Sequence, residues 1–274
     1  MDGRLLTRRL AGRTLRESFG ARVARWSRLA RRIGSGAVEL VYPAACVGCG
    51  TELDSAPAPG HQDLICRACL ERLALFDGAL CSRCGATVVA NGDRDECPRC
   101  RGVKLWFDET AALGEYDGLL REWVLEMKDH RGDRLALALA ELVWERCGER
   151  LRASQPDVVV PVAMHWRRRC SRGTNGAAIM AERLARRLGV PLAVGLLRRE
   201  RNTPPQFTLP PSQRRANVRG AFSVNAGYHL SRARVLVVDD ILTTGATCSE
   251  AARVLKRSGA AYVAAVVAAR TLRH

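Results

Sequence analysis

Lysine is scarce in this chain: of 44 lysines and arginines only three are lysine, and 28 acids leave a formal net charge of +16 over 274 residues. Aromatic residues make up 5% of the sequence and few lie among the arginines, which argues against a nucleic-acid surface built mainly on base stacking. No uninterrupted apolar run approaches the roughly 20 residues that span a bilayer. The opening MDGRLLTRRLAGRTLRESFG has scattered arginines and no apolar stretch, so it does not read as a secretory signal, and the expected location is cytoplasmic. Acids are missing altogether from two long stretches, 158–181 and 201–238.

What fills those stretches is arginine: Arg167, Arg168, Arg169 and Arg172 in the first, and six more from Arg201 to Arg234 in the second. Residues 1–34 hold ten arginines against Asp2 and Glu17, half of the net charge. Such fields suit a polyanionic partner, nucleic acid or a phosphorylated small molecule; the plainer reading of any single arginine is a solvated side chain. Within 4–33, Leu5, Leu6, Leu10, Phe19, Val23, Trp26 and Leu29 recur at rough helical spacing. That pattern predicts an amphipathic basic helix ending near Gly34, able to touch nucleic acid, an anionic membrane surface or its own protein.

Beyond the basic extension (1–40), the composition divides the chain into a cysteine-dense unit over 41–104 and a larger body over 105–274. The body begins with a strand and two amphipathic helices across 106–150. Apolar strands then alternate with helices: DVVVPVA, NGAAIMAERLARRLG, ARVLVVDD, ATCSEAARVLKRSG and AYVAAVVAAR. Such alternation predicts βαβ units and a parallel sheet flanked by helices, an α/β fold. The proline-rich RNTPPQFTLPPSQRRANVRGAF is expected to be an irregular surface segment.

Eight of the eleven cysteines form four Cys-x-x-Cys pairs, Cys46/Cys49, Cys66/Cys69, Cys81/Cys84 and Cys97/Cys100. The pairs repeat, each half opening with Cys-x-x-Cys-Gly and closing with a plain pair. Two-residue spacing lets both thiolates of a knuckle bind one ion, and four thiolates make a closed tetrahedral site, so two structural zinc ions are expected. Sequential pairing of the tetrads is the simplest assignment, and interleaved pairing is the alternative. A disulfide framework lacks an oxidising context, and four redox pairs would be surplus. Gly50 and Gly85 stand where the chain must turn with positive φ. Cys147, Cys170 and Cys248 read as ordinary core or surface cysteines.

The stretch VLVVDDILTTGAT, Val235 to Thr247, sets two carboxylates beside what reads as an anion-binding turn. Val235–Val238 suit the centre of a parallel sheet, whose ligands bind past the carboxyl ends of the strands. Asp239 and Asp240 sit at that end. The turn runs into a helix expected near Thr247, so backbone N–H groups and the helix N-terminus converge, with Thr243, Thr244 and Thr247 adding hydroxyls. Gly245 is expected to let the backbone approach the anion. A ligand carrying both a phosphate and vicinal hydroxyls reconciles the two charge types, and a 5′-phosphorylated ribose is one.

VLVVDDILTTGAT resembles the signature of type I phosphoribosyltransferases, which bind 5-phosphoribosyl-1-pyrophosphate (PRPP). With the upstream double zinc ribbon, the chain resembles the ComF family of competence proteins, linked to DNA uptake in natural transformation. The resemblance covers roughly 40–270 and implies a type I phosphoribosyltransferase-like sheet preceded by a double zinc ribbon with four cysteines at each site. It implies that Asp239 and Asp240 face the ribose hydroxyls and that Thr243, Thr244, Gly245, Ala246 and Thr247 hold the 5′-phosphate. Pro161–Ala163 would form the pyrophosphate-side loop. Arg172 and Asn175 fall in a segment reading RGTNG where the family has RGFNQ; Arg214, Arg215 and Asn217 fall in a hood-like loop, and Lys128 matches a basic position. Mg²⁺ would accompany PRPP if transfer occurs. No residue stands out as a general base; His165 is nearest by location but, beside three arginines, reads as polar surface. Three functions follow: a DNA-uptake protein retaining a PRPP pocket and contacting single-stranded DNA or uptake machinery, an active phosphoribosyltransferase, and a non-catalytic PRPP sensor.

Overall fold

Strands built from apolar runs with little internal alternation lie at the centre of the body, covered by helices on both faces. The computed structural model describes residues 44–53, 64–88, 97–129, 132–165 and 175–272. The expected N-terminal helix, Arg167–Arg169, Cys170 and Arg172 lie outside these residues. Six strands are described: β1 (Glu109–Glu115), β2 (Val158–Pro161), β3 (Leu197–Arg199), β4 (Phe222–Val224), β5 (Arg234–Leu242) and β6 (Tyr262–Arg270). Four of them form a parallel sheet in the order β1-β6-β5-β2, and β3 and β4 make a small antiparallel pair. The described helices are α1 (Arg67–Arg72), α2 (Gly118–Glu126), α3 (Asp133–Ala153), α4 (Gly176–Leu188), α5 (Pro211–Val218) and α6 (Ala246–Arg257). None of these is long and apolar enough to cross a membrane.

The two-residue period of a strand sorts the core into two layers. Leu236 and Val238 of β5 pack with Leu139, Leu142 and Val143 of α3 and with Met180 and Leu184 of α4. Val235 and Val237 face the other way, against Cys248, Ala251 and Leu255 of α6. Each such leucine or valine contributes about 1.5–3 kcal/mol by leaving water. Glu141 of α3 is buried between Arg183 and Arg187 of α4, which tie the two helices together.

The sheet positions the rest. β5 is an inner strand, as its continuous apolar run predicts, and its carboxyl end opens where α6 begins. The outer edge of β1 is taken up by the cysteine unit: Phe76 N–H donates to Leu113 O (3.1 Å), Glu115 N–H to Ala74 O and Thr110 N–H to Ser82 O (both 2.8 Å). A Cβ at Gly114 would stand 2.2 Å from Ala74 O, so only glycine permits this approach. An unpaired strand edge is thereby covered by the ribbon module.

The order of strands and helices expected from 106 onward is observed, with two corrections: the short antiparallel pair of β3 and β4 was not expected, and 201–222 holds helical turns. The segment 201–222 is not wholly irregular: Gln206–Thr208 form a short 3-10 turn and Pro211–Val218 an α-helix. Pro211 begins that helix, where its fixed φ is already helical and its missing N–H has no partner to lose, so the proline marks a start rather than a break.

Candidate functional site

The two-residue knuckles bring the cysteines together in sequence order: Cys46, Cys49, Cys66 and Cys69 form one cluster and Cys81, Cys84, Cys97 and Cys100 the other, with sulfurs within 4.8 Å of one another in each. Zinc–sulfur bonds of about 2.3 Å would set the sulfurs about 3.8 Å apart around a tetrahedron. Cys81 and Cys100 Sγ are 3.8 Å apart, as are Cys84 and Cys97, and Cys49 and Cys66 are 3.6 Å apart. These separations are far longer than a disulfide and fit a metal ion. The thiols divide in proton affinity: hydrogen bonding to Thr51 draws Cys49 down to about 6, while burial pushes Cys84 up to about 11 and raises Cys69 and Cys100. A divalent cation allows all four to be thiolates at once. Gly50 and Gly85 take φ of +75° and +68°, as the turn after each knuckle requires.

A cavity of about 590 Å³ opens at the carboxyl end of β5. Asp239, Asp240, Thr243 and Thr247 all line it. The N-terminus of α6, whose Thr247 is in the lining, contributes its partial positive charge there. Asp240 Oδ2 accepts from Lys128 Nζ at 2.9 Å, while Asp240 N–H donates to Asp239 Oδ1 at 3.0 Å. Behind Asp239, the buried Cys248 thiol lies 3.7 Å from Oδ2. Burial first, and then the Asp240 charge, push the Asp239 carboxyl well above the usual carboxylate range. Burial and Asp239 likewise push the Cys248 thiol up. Proton or cation is therefore favoured at this pair, and Lys128 supplies the cation within the chain.

The rest of the anticipated phosphate set stands behind the lining. Thr244 Oγ1 accepts from Ala246 N–H at 3.4 Å, and Ala246 is buried as the first residue of α6. Gly245 caps the helix at φ +73°, and a Cβ there would meet Leu105 Cδ2 at 3.3 Å and Phe107 Cζ at 3.5 Å. Backbone conformation and packing on Leu105 and Phe107 both favour glycine here.

Val162 and Ala163, in the expected pyrophosphate-side loop, line the cavity, as do Asn175 at the start of α4 and Arg214 of α5. Arg215 and Asn217 do not: Arg215 donates to Lys104 O and Asn217 to Pro204 O, both at 3.1 Å, so they brace the 201–221 segment from outside. His165 is 6% exposed, which corrects its reading as polar surface, and it is not among the lining residues. Cys147 is half-buried with its thiol 3.8 Å from Ala112 O.

Two of the residues that were not anticipated tie separate elements together. Gln206 lines the cavity and its Nε2 donates to Arg214 O (3.2 Å) and Thr247 Oγ1 (3.4 Å), linking the proline-rich segment to the head of α6. Arg270, at the end of β6, donates to Cys84 O and Leu242 O (both 2.9 Å) and also to Thr243 O. Its one sequence signal is a charge closing the otherwise apolar YVAAVVAAR.

The phosphoribosyl transferase domain model matches residues 130–273 and the double zinc ribbon domain model residues 37–101. The chain is 26% identical over 218 residues to Competence protein F of Haemophilus influenzae, across 78% of this chain and 91% of that one. It is 30% identical over 239 residues to DNA utilization protein YhgH of Escherichia coli (strain K12), across 85% of this chain and 100% of that one. A solved purine phosphoribosyltransferase from Pyrococcus horikoshii Ot3 aligns with 60% of this chain and 82% of its own, at 24% identity and a TM-score of 0.32. A phosphoribosyl transferase domain behind a double zinc ribbon, shared along nearly the whole length of these relatives, makes this chain a member of the ComF family.

Proposed function

We propose that the cavity binds a 5-phosphoribosyl ligand, PRPP or a close relative, in a cytoplasmic protein that serves DNA uptake or utilisation. One observation carries the ligand: the Asp239–Asp240 pair and the Thr243 and Thr247 hydroxyls face the same cavity at the head of α6. The 5′-phosphate would sit on the Thr243–Thr247 turn, where the N–H groups and helix dipole favour an anion. The acids would accept from the ribose hydroxyls, with Lys128, Arg214 and Asn175 toward the diphosphate. Asp239 and Asp240 also offer the hard oxygens Mg²⁺ takes, and Mg²⁺ bound with the ligand would offset charge on its diphosphate.

The DNA role is supported by the names of the relatives and by the +16 charge, which suits backbone contact with single-stranded DNA or docking on uptake machinery. The two zinc ions are structural, since each tetrad uses all four positions. Transfer is a second reading, favoured by the apolar members of the cavity lining, Tyr116, Leu125 and Met164, which a base could meet. An acceptor nitrogen would then attack C1 of the ribose. The C1–O bond would break with its electron pair on the departing diphosphate, and the nitrogen's proton would pass to solvent. Positioning and charge stabilisation would supply the acceleration.

Calorimetry with PRPP and Mg²⁺ tests the ligand. Wild type should bind and Asp239→Asn/Asp240→Asn should not; a silent wild type overturns the reading. Pyrophosphate release across a panel of bases and amines separates an enzyme from a sensor that binds without transfer. For the DNA half, anisotropy with labelled single strands should show affinity falling steeply with salt, and no binding at low salt would remove direct contact.

A further inference from the structure

Three consecutive backbone carbonyls in the first knuckle of the second zinc ribbon accept hydrogen bonds from the body. Ser82 O accepts from Thr110 N–H of β1 (2.8 Å) and from Arg150 Nη2 of α3 (2.9 Å). Arg83 O accepts from Thr110 Oγ1 at 3.0 Å. Cys84 O accepts from Arg270 Nε at 2.9 Å. Of these donors only Arg270 also reaches the phosphate turn, donating through Nη1 to Leu242 O, Thr243 O and Thr271 O.

Arg270 is 7% exposed, and no carboxylate among the described residues pairs with it. A buried guanidinium satisfied only by neutral carbonyls is costly unless a negative charge lies near. Four thiolates around one divalent ion carry a formal charge of about −2, so a loaded tetrad is the anion this cation otherwise lacks. The guanidinium fork is also rigid, so it fixes the knuckle and the turn relative to each other.

We propose that Arg270 is a positioning residue coupling the second zinc site to the phosphate turn, so that metal in the Cys81–Cys84–Cys97–Cys100 tetrad and ligand at Thr243–Thr247 each strengthen the other's binding. The metal holds the Cys84 knuckle in place, Arg270 carries that placement to the Leu242 and Thr243 carbonyls, and the turn is pre-organised. By linkage the effect is reciprocal, and couplings of this kind run from about five-fold upward. The ligand half rests on the phosphoribosyl-binding reading; the strut itself does not.

The test uses the full zinc-loaded chain. In wild type, PRPP with Mg²⁺ should slow chelator removal of zinc from the second tetrad by about five-fold or more. Arg270→Met should keep about two zinc per chain yet lose that protection and bind PRPP more weakly by the same factor. Arg270→Lys should restore part of it, having the charge without the fork. Arg150→Gln, which loosens the same knuckle without touching the turn, should keep the coupling. Hydrogen exchange at the amides of residues 242–247 reads the strut without ligand: exchange should quicken in Arg270→Met and on zinc removal. If wild type binds no PRPP, the ligand reading fails and exchange alone decides the strut. Unchanged exchange in Arg270→Met, or ligand protection of zinc equal to wild type, overturns the proposal.

Discussion

Lys128 Nζ stands 2.9 Å from Asp240 Oδ2 at the carboxyl end of β5. This contact answers the charge conflict in VLVVDDILTTGAT, because the acids beside the Thr243–Thr247 turn already have a cation from just past the end of α2. Lys128→Met would leave two carboxylates facing an incoming phosphate. PRPP affinity should fall about ten-fold, roughly 1.4 kcal/mol, measured by calorimetry. A rise in affinity would instead make Lys128 a competitor for the acid pair.

The raised Asp239 carboxyl has a consequence for stability. Its unfolded value is about 3.9, so the folded state is favoured below about pH 4 and loses that contribution as pH rises through the higher folded value. Asp239→Asn removes the penalty. It should stabilise the ligand-free protein at pH 7 by on the order of 1 kcal/mol while weakening ligand binding. Thermal unfolding from pH 4 to 8 should show the gap between variant and wild type closing toward pH 4; a constant gap contradicts this assignment.

Gly245→Ala forces an L side chain into φ +73° and sets its Cβ against Leu105. The cost should be about 1–2 kcal/mol, and the head of α6 should shift. Lower Tm together with weaker PRPP binding is expected. A loss of binding at unchanged Tm would place the effect on the ligand itself.

Glu141 is buried while its partners Arg183 and Arg187 are about one-third exposed at 33% and 31%. Glu141→Ala should therefore cost about 1–3 kcal/mol, less than breaking a fully buried pair, because the arginines can turn to water. Urea unfolding of the zinc-loaded protein should show a lower midpoint with the ligand-binding stoichiometry intact.

Much of the site was legible because it is written in short spacings. Cys-x-x-Cys pairs need only a two-residue turn to aim both sulfurs at one point, and the tetrads form in chain order. Val235–Val238 announce a strand covered on both faces, and the acids directly after it must lie at the sheet's carboxyl end. The prolines of 201–222 were less informative, since the same residue ends one element and begins another; Pro211 opens α5. Arg214 and Arg215 are adjacent in sequence, yet a helix points successive side chains about 100° apart. Only Arg214 reaches the cavity.

Local pattern alone determined the zinc knuckles, the central strands and the acid–turn–helix device, because each depends on residues within a few positions of one another. Only the tertiary structure decided that the ribbon covers the edge of β1, that Lys128 meets Asp240, and that Arg270 reaches Cys84, 186 residues away. The physical reason is strand order. Placing β6 between β1 and β5 puts the end of β6 beside both the ribbon and the Thr243–Thr247 turn, and no period or spacing along the chain encodes that neighbour.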